Sequence, residues 1–457
     1  MAMPKRVYLE THGCTANRAD SDIMAALLER AGYELVDSPE KADAIILNTC
    51  NVKKPTEDRM VHRAKVLSAR GVPLIVAGCM ALTQPYRLRQ FALALVGPKS
   101  IHRIVEAVEG ALEGRRVQFL DRTDLDKSTL PRRIPAPLSA PFPIAEGCVG
   151  ACSYCITRFA RGRLRSYTPA SLVRLAEELI SAGAIELLVT AQDVAAYGLD
   201  IGTSLPELLE ILLEIPGNYR VRLGMMNPNT LSRIVDELLR AMSDPRVYKF
   251  LHIPVQSGSD AVLKLMNRGY TVADFLGLVK KFRSAFREAT LATDVIVGFP
   301  GEGDEDFEAT VKLLEEAKPE VVNISRFGPR PGTPAARMTP LPPQVVKRRS
   351  KILVELVREI GLRANEKFVG KELTVLALEK TEKGYQGRTD FYRAVAIMGE
   401  DVRLGRFYSV EIDEARPNYL VGRIISELDM ISGAARLSEA PAINRAHNNR
   451  RLERERA

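Results

Sequence analysis

Cys148, Cys152 and Cys155 stand close together in Glu146-Gly147-Cys148-Val149-Gly150-Ala151-Cys152-Ser153-Tyr154-Cys155, straight after the apolar run Phe142 to Ala145. Spacings of three and then two residues point three sulfurs into one small volume. A cube of iron and sulfide normally takes four cysteines. With three, one iron lacks a protein thiolate, and an open metal position is where a ligand binds. A zinc site usually wants four protein ligands built from C-x-x-C pairs, and no second pair exists here. Ordinary buried thiols are the plainer alternative.

The remaining cysteines share a different feature. Val7 to Glu10, Ala44 to Asn48 and Pro73 to Ala77 read as strands, and Cys14, Cys50 and Cys79 each lie just past the carboxyl end of one. Helical patterns, Ala19 to Ala31 and Glu57 to Arg70, fall between them, which implies a doubly wound parallel sheet. Ligands bind at that edge of an open α/β sheet. Three cysteines far apart in sequence can converge there on a second three-thiolate cluster. Neighbouring Gly, Asn, Thr and His suit a loop better than a core. His12 is either a further ligand or a loop hydrogen-bonder.

The elements that position these groups divide the 457 residues into expected units. Residues 1–127 form the α/β domain with the second cluster. Residues 128–142 are a proline-rich linker, opening with Pro131, Pro135, Pro137 and Pro141 after Asp121, Asp124, Asp126 and Lys127. In residues 143–364, strand candidates at Pro143–Ala145, Glu186–Thr190, Arg220–Leu223, Phe250–Pro254, Thr293–Val297 and Val321–Ser325 alternate with helical stretches. Six β/α units make an incomplete version of the eight-unit barrel, whose sites lie at the carboxyl ends of the strands. Polar turns fall at those ends, among them Gln192-Asp193, Met225 to Pro228, Gln256 to Ser259, Gly298 to Glu302 and Arg326 to Thr333. A long helix, Val345 to Phe368, leads into short strands over residues 365–427, read as a small β-barrel of the oligonucleotide-binding class. Its cations (Lys380, Lys383, Arg388, Arg393, Arg403, Arg406, Arg416) and rings (Tyr385, Phe391, Tyr392) suit RNA, and a purely structural barrel is the alternative. Residues 428–457 form a charged tail.

Composition sets outer bounds. The chain is 46% hydrophobic and carries a formal charge of +8, so an anionic partner is plausible. Six cysteines in so long a chain are no disulfide scaffold and point to a reducing cytoplasm. No signal peptide is evident, and no apolar run reaches the ~18 residues that span a membrane. The run Arg158 to Arg165 is either a solvated face or a phosphate contact.

C-x-x-x-C-x-x-C with an aromatic residue before its last Cys, here Tyr154, resembles the signature of radical S-adenosylmethionine (SAM) enzymes. The whole arrangement resembles the radical-SAM methylthiotransferase family from Lys5 to about Ile425, with a terminal module like its RNA-binding TRAM domain. The similarity is to the archaeal and eukaryotic branch that acts on tRNA carrying threonylcarbamoyladenosine. It is carried by Asn48 to Lys53, Tyr197 to Thr203, Arg222 to Pro228, Phe250 to Ser257, Ala292 to Glu302 and Pro329 to Ala336. Gly303 departs from the Thr often found in the Gly-Glu-Thr turn. The resemblance implies a methylthio group placed on carbon 2 of the modified adenosine just 3′ of the anticodon, position 37. It implies two 4Fe-4S clusters, the SAM-cleaving one on Cys148, Cys152 and Cys155 and an auxiliary one on Cys14, Cys50 and Cys79. SAM serves as both methyl and radical source, and tRNA, an electron donor and a sulfur source are the implied partners of a monomer. Asp193, Gln256 and Asp294, at strand ends, are candidates for SAM or radical-site contacts. A methylthiotransferase of a ribosomal protein and a non-catalytic iron–sulfur RNA-binding protein are the rival readings.

Overall fold

Alternating side chains decide the first layer. In the strand Ala44–Thr49, Ala44 and Ile46 face one apolar cluster with Ile23, Met24, Leu28, Ile104 and Val108, while Ile45 and Leu47 face another with Met60, Ala64, Leu67 and Met80. A strand buried on both faces belongs to a parallel sheet covered by helices. The computed structural model, which describes residues 4–122, 125–133, 138–382 and 384–428, has that sheet. Its strands are β1 (Arg6–Thr11), β2 (Glu34–Val36), β3 (Ala44–Thr49), β4 (Leu74–Gly78), β5 (Ala94–Val96) and β6 (Val117–Phe119). They are all parallel, in the order β2-β1-β3-β4-β5-β6. Asp124, Pro135, Pro137, Lys383 and the tail from residue 429 lie outside the described residues.

The middle of the chain forms an open half-barrel. β7 (Ser139–Pro143) begins four residues earlier than its sequence pattern implied, and a short antiparallel pair, β8 (Ala145–Glu146) with β9 (Arg165–Ser166), follows it. β10 (Glu186–Thr190), β11 (Arg220–Leu223), β12 (Phe250–His252), β13 (Thr290–Val297) and β14 (Val321–Arg326) complete it. Two parallel three-stranded sheets, β11-β10-β7 and β12-β13-β14, meet through the isolated bridges Val221–Val247 and Met225–His252. The helices between them bury leucine-rich faces, such as Leu172, Leu175 and Leu179 of Pro169–Ser181. The Gly303 turn still caps its helix, because the Gly303 N–H donates to Asp306 Oδ2 at 2.8 Å.

The helix Pro343–Glu366 leads to a closed five-stranded barrel of β15 (Glu372–Thr381), β16 (Gly384–Thr389), β17 (Ala394–Met398), β18 (Phe407–Ala415) and β19 (Leu420–Leu428). Part of its expected RNA surface is spent on docking. Tyr392 packs between Tyr248 and Phe250 of the half-barrel, centroids 4.8 and 4.9 Å away. Phe391 stacks on Phe368, and Arg393 is buried beside Glu320. These three residues are therefore not free to meet a base or phosphate.

The second docking contact needs a glycine. A Cβ on Gly361 would sit 2.3 Å from the carbonyl oxygen of Pro417, in the β18–β19 turn, and Asn365 Nδ2 donates to Arg416 O at 2.6 Å. Helix propensity alone makes Gly→Ala stabilising by about 1 kcal/mol. We expect the reverse sign for Gly361→Ala, a lower melting temperature, since the collision is with backbone. A raised melting temperature would show that helix and turn do not touch.

Candidate active site

The first trio follows β8. Gly147, at φ +84°, turns the chain so tightly that a Cβ would overlap Arg163 O at 1.9 Å. Its N–H donates to Gln192 Oε1 at 2.6 Å, tying the loop to the end of β10. Cys148 N donates to Gly162 O, and Gly150 N points at Cys148 Sγ at 3.2 Å. The far side is held by Ser153, whose N–H and Oγ–H donate to Met266 O and Leu265 O. Arg268 donates from Nη1 to Cys152 Sγ at 3.1 Å, and its Nε donates to Tyr270 Oη. All three thiols are partly exposed on one loop.

The second trio assembles from three strand ends. Asn17 is its hub. Its Nδ2 donates to His12 O and Thr49 O, both at 2.9 Å, and its Oδ1 lies 3.8 Å from Cys79 Sγ and 4.0 Å from Cys14 Sγ. A Cβ on Gly13 would lie 3.1 Å from Cys50 Sγ. Gly78, at φ +92°, lets the chain enter the helix of Cys79 beneath Thr49, where a Cβ would stand 2.5 Å from Thr49 O. His12 bonds through Nε2 to Glu10 Oε1 at 2.7 Å, so it serves as a loop hydrogen-bonder.

A knot of buried charge fixes one trio against the other. Lys127 Nζ bonds Asp20 Oδ1 at 2.8 Å and Glu146 Oε1 at 3.0 Å. Arg161 Nη1 reaches Asp20 Oδ2 at 2.8 Å and Glu146 Oε1 at 2.7 Å, and its Nη2 donates to Asn17 Oδ1 at 2.7 Å. All four charged side chains are under 9% exposed. Glu146 stands two residues before Cys148, and Asn17 three after Cys14. Arg161 came from the basic run Arg158 to Arg165; its place in that run is neither a solvated face nor a phosphate contact. A second bridge is Arg330, 4% exposed, whose Nη2 pairs with Glu57 at 2.9 Å. Burial lowers its pKa, opposed by Glu57 and by the thiols Cys50 and Cys155, one from each trio.

Among the described residues, no three His, Cys, Asp or Glu side chains close round a point that a single metal ion would fill. Three thiols in each set are the donor type that an iron–sulfur cluster takes. Burial pushes the Cys79 thiol up to about 12 and Cys148 up to about 11, so thiolates there need cationic partners, which iron provides. Arg330 Nε and Nη1 are buried donors without a hydrogen-bond partner, lying within electrostatic reach of both trios.

The candidate SAM contacts separate. Asp193 is buried with both oxygens occupied, Oδ1 by Asn227 N at 3.0 Å and Oδ2 by Thr230 Oγ1 at 2.9 Å, and burial raises its pKa. It orders the β10 and β11 rim. Gln256 and Asp294 lie together, Gln256 N donating to Asp294 O at 2.8 Å. Gln256 takes φ +71°, uncommon for a residue with a side chain. Asp294 accepts from Asn323 Nδ2 at 2.7 Å and faces His252 at 3.3 Å. Sequence patterning did not single out Asn17, Asp20 or Arg268; Arg330 lay within the polar turn Arg326 to Thr333 but was not picked out from it.

Residues 142–314 match the Radical SAM superfamily, residues 6–96 the uncharacterized protein family UPF0004, and residues 366–425 the TRAM domain. A Pyrococcus horikoshii protein named as a probable threonylcarbamoyladenosine tRNA methylthiotransferase is 43% identical, over 92% of this chain and all of its own. The chain belongs to the threonylcarbamoyladenosine tRNA methylthiotransferase family. The human member is 37% identical over 93% of this chain and 74% of its own length. In fold, this methylthiotransferase-family chain is similar to the radical SAM methyltransferase TsrM of Kitasatospora setae, with TM-score 0.53, 18% identity and coverage of 73% and 77% of the two chains.

The knot makes a quantitative demand. Arg161→Met leaves Asp20 and Glu146 sharing one buried cation, so unfolding in urea should register a loss of about 3–5 kcal/mol. A loss below about 1 kcal/mol, the range of a surface pair, would remove the knot as the joint between the trios.

Proposed function

We propose that the chain converts N6-threonylcarbamoyladenosine at position 37 of tRNA to its 2-methylthio derivative. The observation that carries this reading is that one thiol from each trio, Cys50 and Cys155, acts electrostatically on the same buried Arg330, while Arg161 joins Glu146 beside Cys148 to Asn17 beside Cys14 and Cys79. Cys148, Cys152 and Cys155 would hold one 4Fe-4S cluster, and Cys14, Cys50 and Cys79 the other. When bound, the first supplies the electron that cleaves SAM, and the second supplies the site of the sulfur to be delivered.

The protein's own residues orient and enclose. Arg268 directs an N–H at Cys152 Sγ and so helps orient that sulfur. Gln256, in the loop after β12, and Asp294, which lies within β13 rather than at its end, offer an amide and a carboxylate suited to the polar groups of SAM. Asp193 keeps that rim in place. Both trios come from one chain, which supports action as a monomer; the reading further takes the cytoplasm as its setting and a separate electron donor and sulfur source as partners. No described helix is long and apolar enough to cross a membrane.

The decisive measurement is mass spectrometry of tRNA nucleosides from cells with and without the gene. The 2-methylthio nucleoside should vanish without it; its persistence, or labelled sulfur on protein and none on tRNA, overturns the reading. The two trios should also separate in vitro. Replacing Cys14, Cys50 and Cys79 with Ala should leave about half the iron per chain, with 5′-deoxyadenosine still formed from SAM and no methylthio product. Replacing Cys148, Cys152 and Cys155 should abolish 5′-deoxyadenosine formation. Equal loss of SAM cleavage in both sets would contradict the division of roles.

A further inference from the structure

A cleft of 610 Å³ opens where three parts of the chain meet. Lys53 comes from the loop after Cys50, Asn323 from β14, Arg358 from the helix Pro343–Glu366, and Arg416, Asn418 and Tyr419 from the β18–β19 turn. Among the described residues, no carboxylate lines it. Lys53 and Arg358 make no salt bridge among the described residues, while Arg416 shares its charge with Glu414 at 2.8 Å. Tyr419 is 42% exposed, a ring on open display.

The cleft is both built and connected. Arg416 N donates to Tyr419 O, which closes the turn, and the Gly361 and Asn365 contacts clamp that turn to the helix. Asn323, one of the lining residues, donates to Asp294, and Lys53 lies within electrostatic reach of the same carboxylate. The cleft thus runs from the rim of the candidate active site outward to the terminal barrel.

We propose that this cleft seats the tRNA backbone beside the modified nucleotide. Lys53, Arg358 and Arg416 would meet successive phosphates, Asn323 and Asn418 would offer amides to sugar or phosphate oxygens, and Tyr419 would stack on an unpaired base. Three cations on three separate elements, with no lining acid among the described residues, match a bent polyanion better than a compact anion. A ring beside cations is the usual platform for single-stranded RNA. This rests on the tRNA reading above and adds where the RNA lies.

The test compares full-length wild type, the double variant Arg358→Gln/Arg416→Gln, and a control double variant Lys280→Gln/Arg363→Gln, whose residues do not line the cleft. Binding of a labelled anticodon stem-loop is followed by fluorescence anisotropy across a salt series. The cleft variant should bind about tenfold more weakly, and its log–log salt slope should fall by about two. The control should keep the wild-type slope within about one. Unchanged binding by the cleft variant, or an equal loss in the control, overturns the cleft. Tyr419→Ala, with its charge intact, should weaken binding and leave the slope unaltered; no loss of affinity removes the stacking role. Failure of the wild type itself to bind the stem-loop would instead strike the tRNA reading.

Discussion

Two carboxylates and two cations, all removed from water, hold the N-terminal sheet against the half-barrel. Each such ion surrenders several kcal/mol of hydration, on the order of what its partners return. Asp20, Lys127, Glu146 and Arg161 avoid a deficit by sharing: each cation reaches both carboxylates, and Arg161 has a hydrogen left for Asn17. Apolar residues of similar size could have supplied comparable cohesion. They could not have supplied direction. A charge-assisted bond fixes angle as well as distance, and here the angles are transmitted to Cys148 through Glu146 and to Cys14 and Cys79 through Asn17. We read the knot as a device that registers one sulfur trio on the other, since sliding either body by an ångström would strand buried charge.

Backbone geometry around the trios follows from that registration. The loops carrying the cysteines pass within van der Waals contact of neighbouring main chain, and only glycine permits this at Gly78 and Gly147. Gln256 has no such exemption. Its left-handed conformation costs on the order of 1–3 kcal/mol, and strain of that kind persists where surroundings dictate it. The dictation is visible: its N–H is bound by Asp294 O, and its carbonyl accepts from Ile296 N. The Gln256 backbone is thereby fixed beside Asp294, which sets the point from which its side chain starts.

The sequence exposes some of this readily. β3 and β10 contain apolar runs, and each cysteine of the second trio follows a recognisable strand, so the placing of Cys14, Cys50 and Cys79 at one edge of the sheet is legible from topology. β2, β5 and β6 are three residues long, too short to show a period, and exist because longer neighbours offer them partners. The knot is illegible for another reason. Lys127 and Asp20 are 107 residues apart, and nothing local distinguishes a lysine in a proline-flanked segment from a solvated one. Arg161 was hidden by company, since a run of arginines reads as surface until one of them finds two carboxylates. The same holds for Phe391, Tyr392 and Arg393. Their types suit RNA, but type does not reveal which face of a barrel is already covered.

That covered face constrains where a nucleic acid can lie. A closed barrel of five strands offers a limited number of cations and rings. Tyr392 is held by Tyr248 and Phe250, and Arg388 stands over Tyr392 at 4.8 Å from its centroid. Arg403 pairs with Glu427, and Arg423 with Glu411 and Asp413. These pairings draw off part of the barrel's cations and rings, while the turn between β18 and β19, with Arg416 and Tyr419, lies against the long helix and shares a cleft with Lys53 of the loop after Cys50. The docking that consumes one face of the terminal barrel is therefore the same event that presents the other beside the strand ends of the half-barrel. A rigid three-way junction lets distant contacts with a large polyanion govern the position of one base, where a misplacement of about 1 Å can slow a reaction 10²-fold.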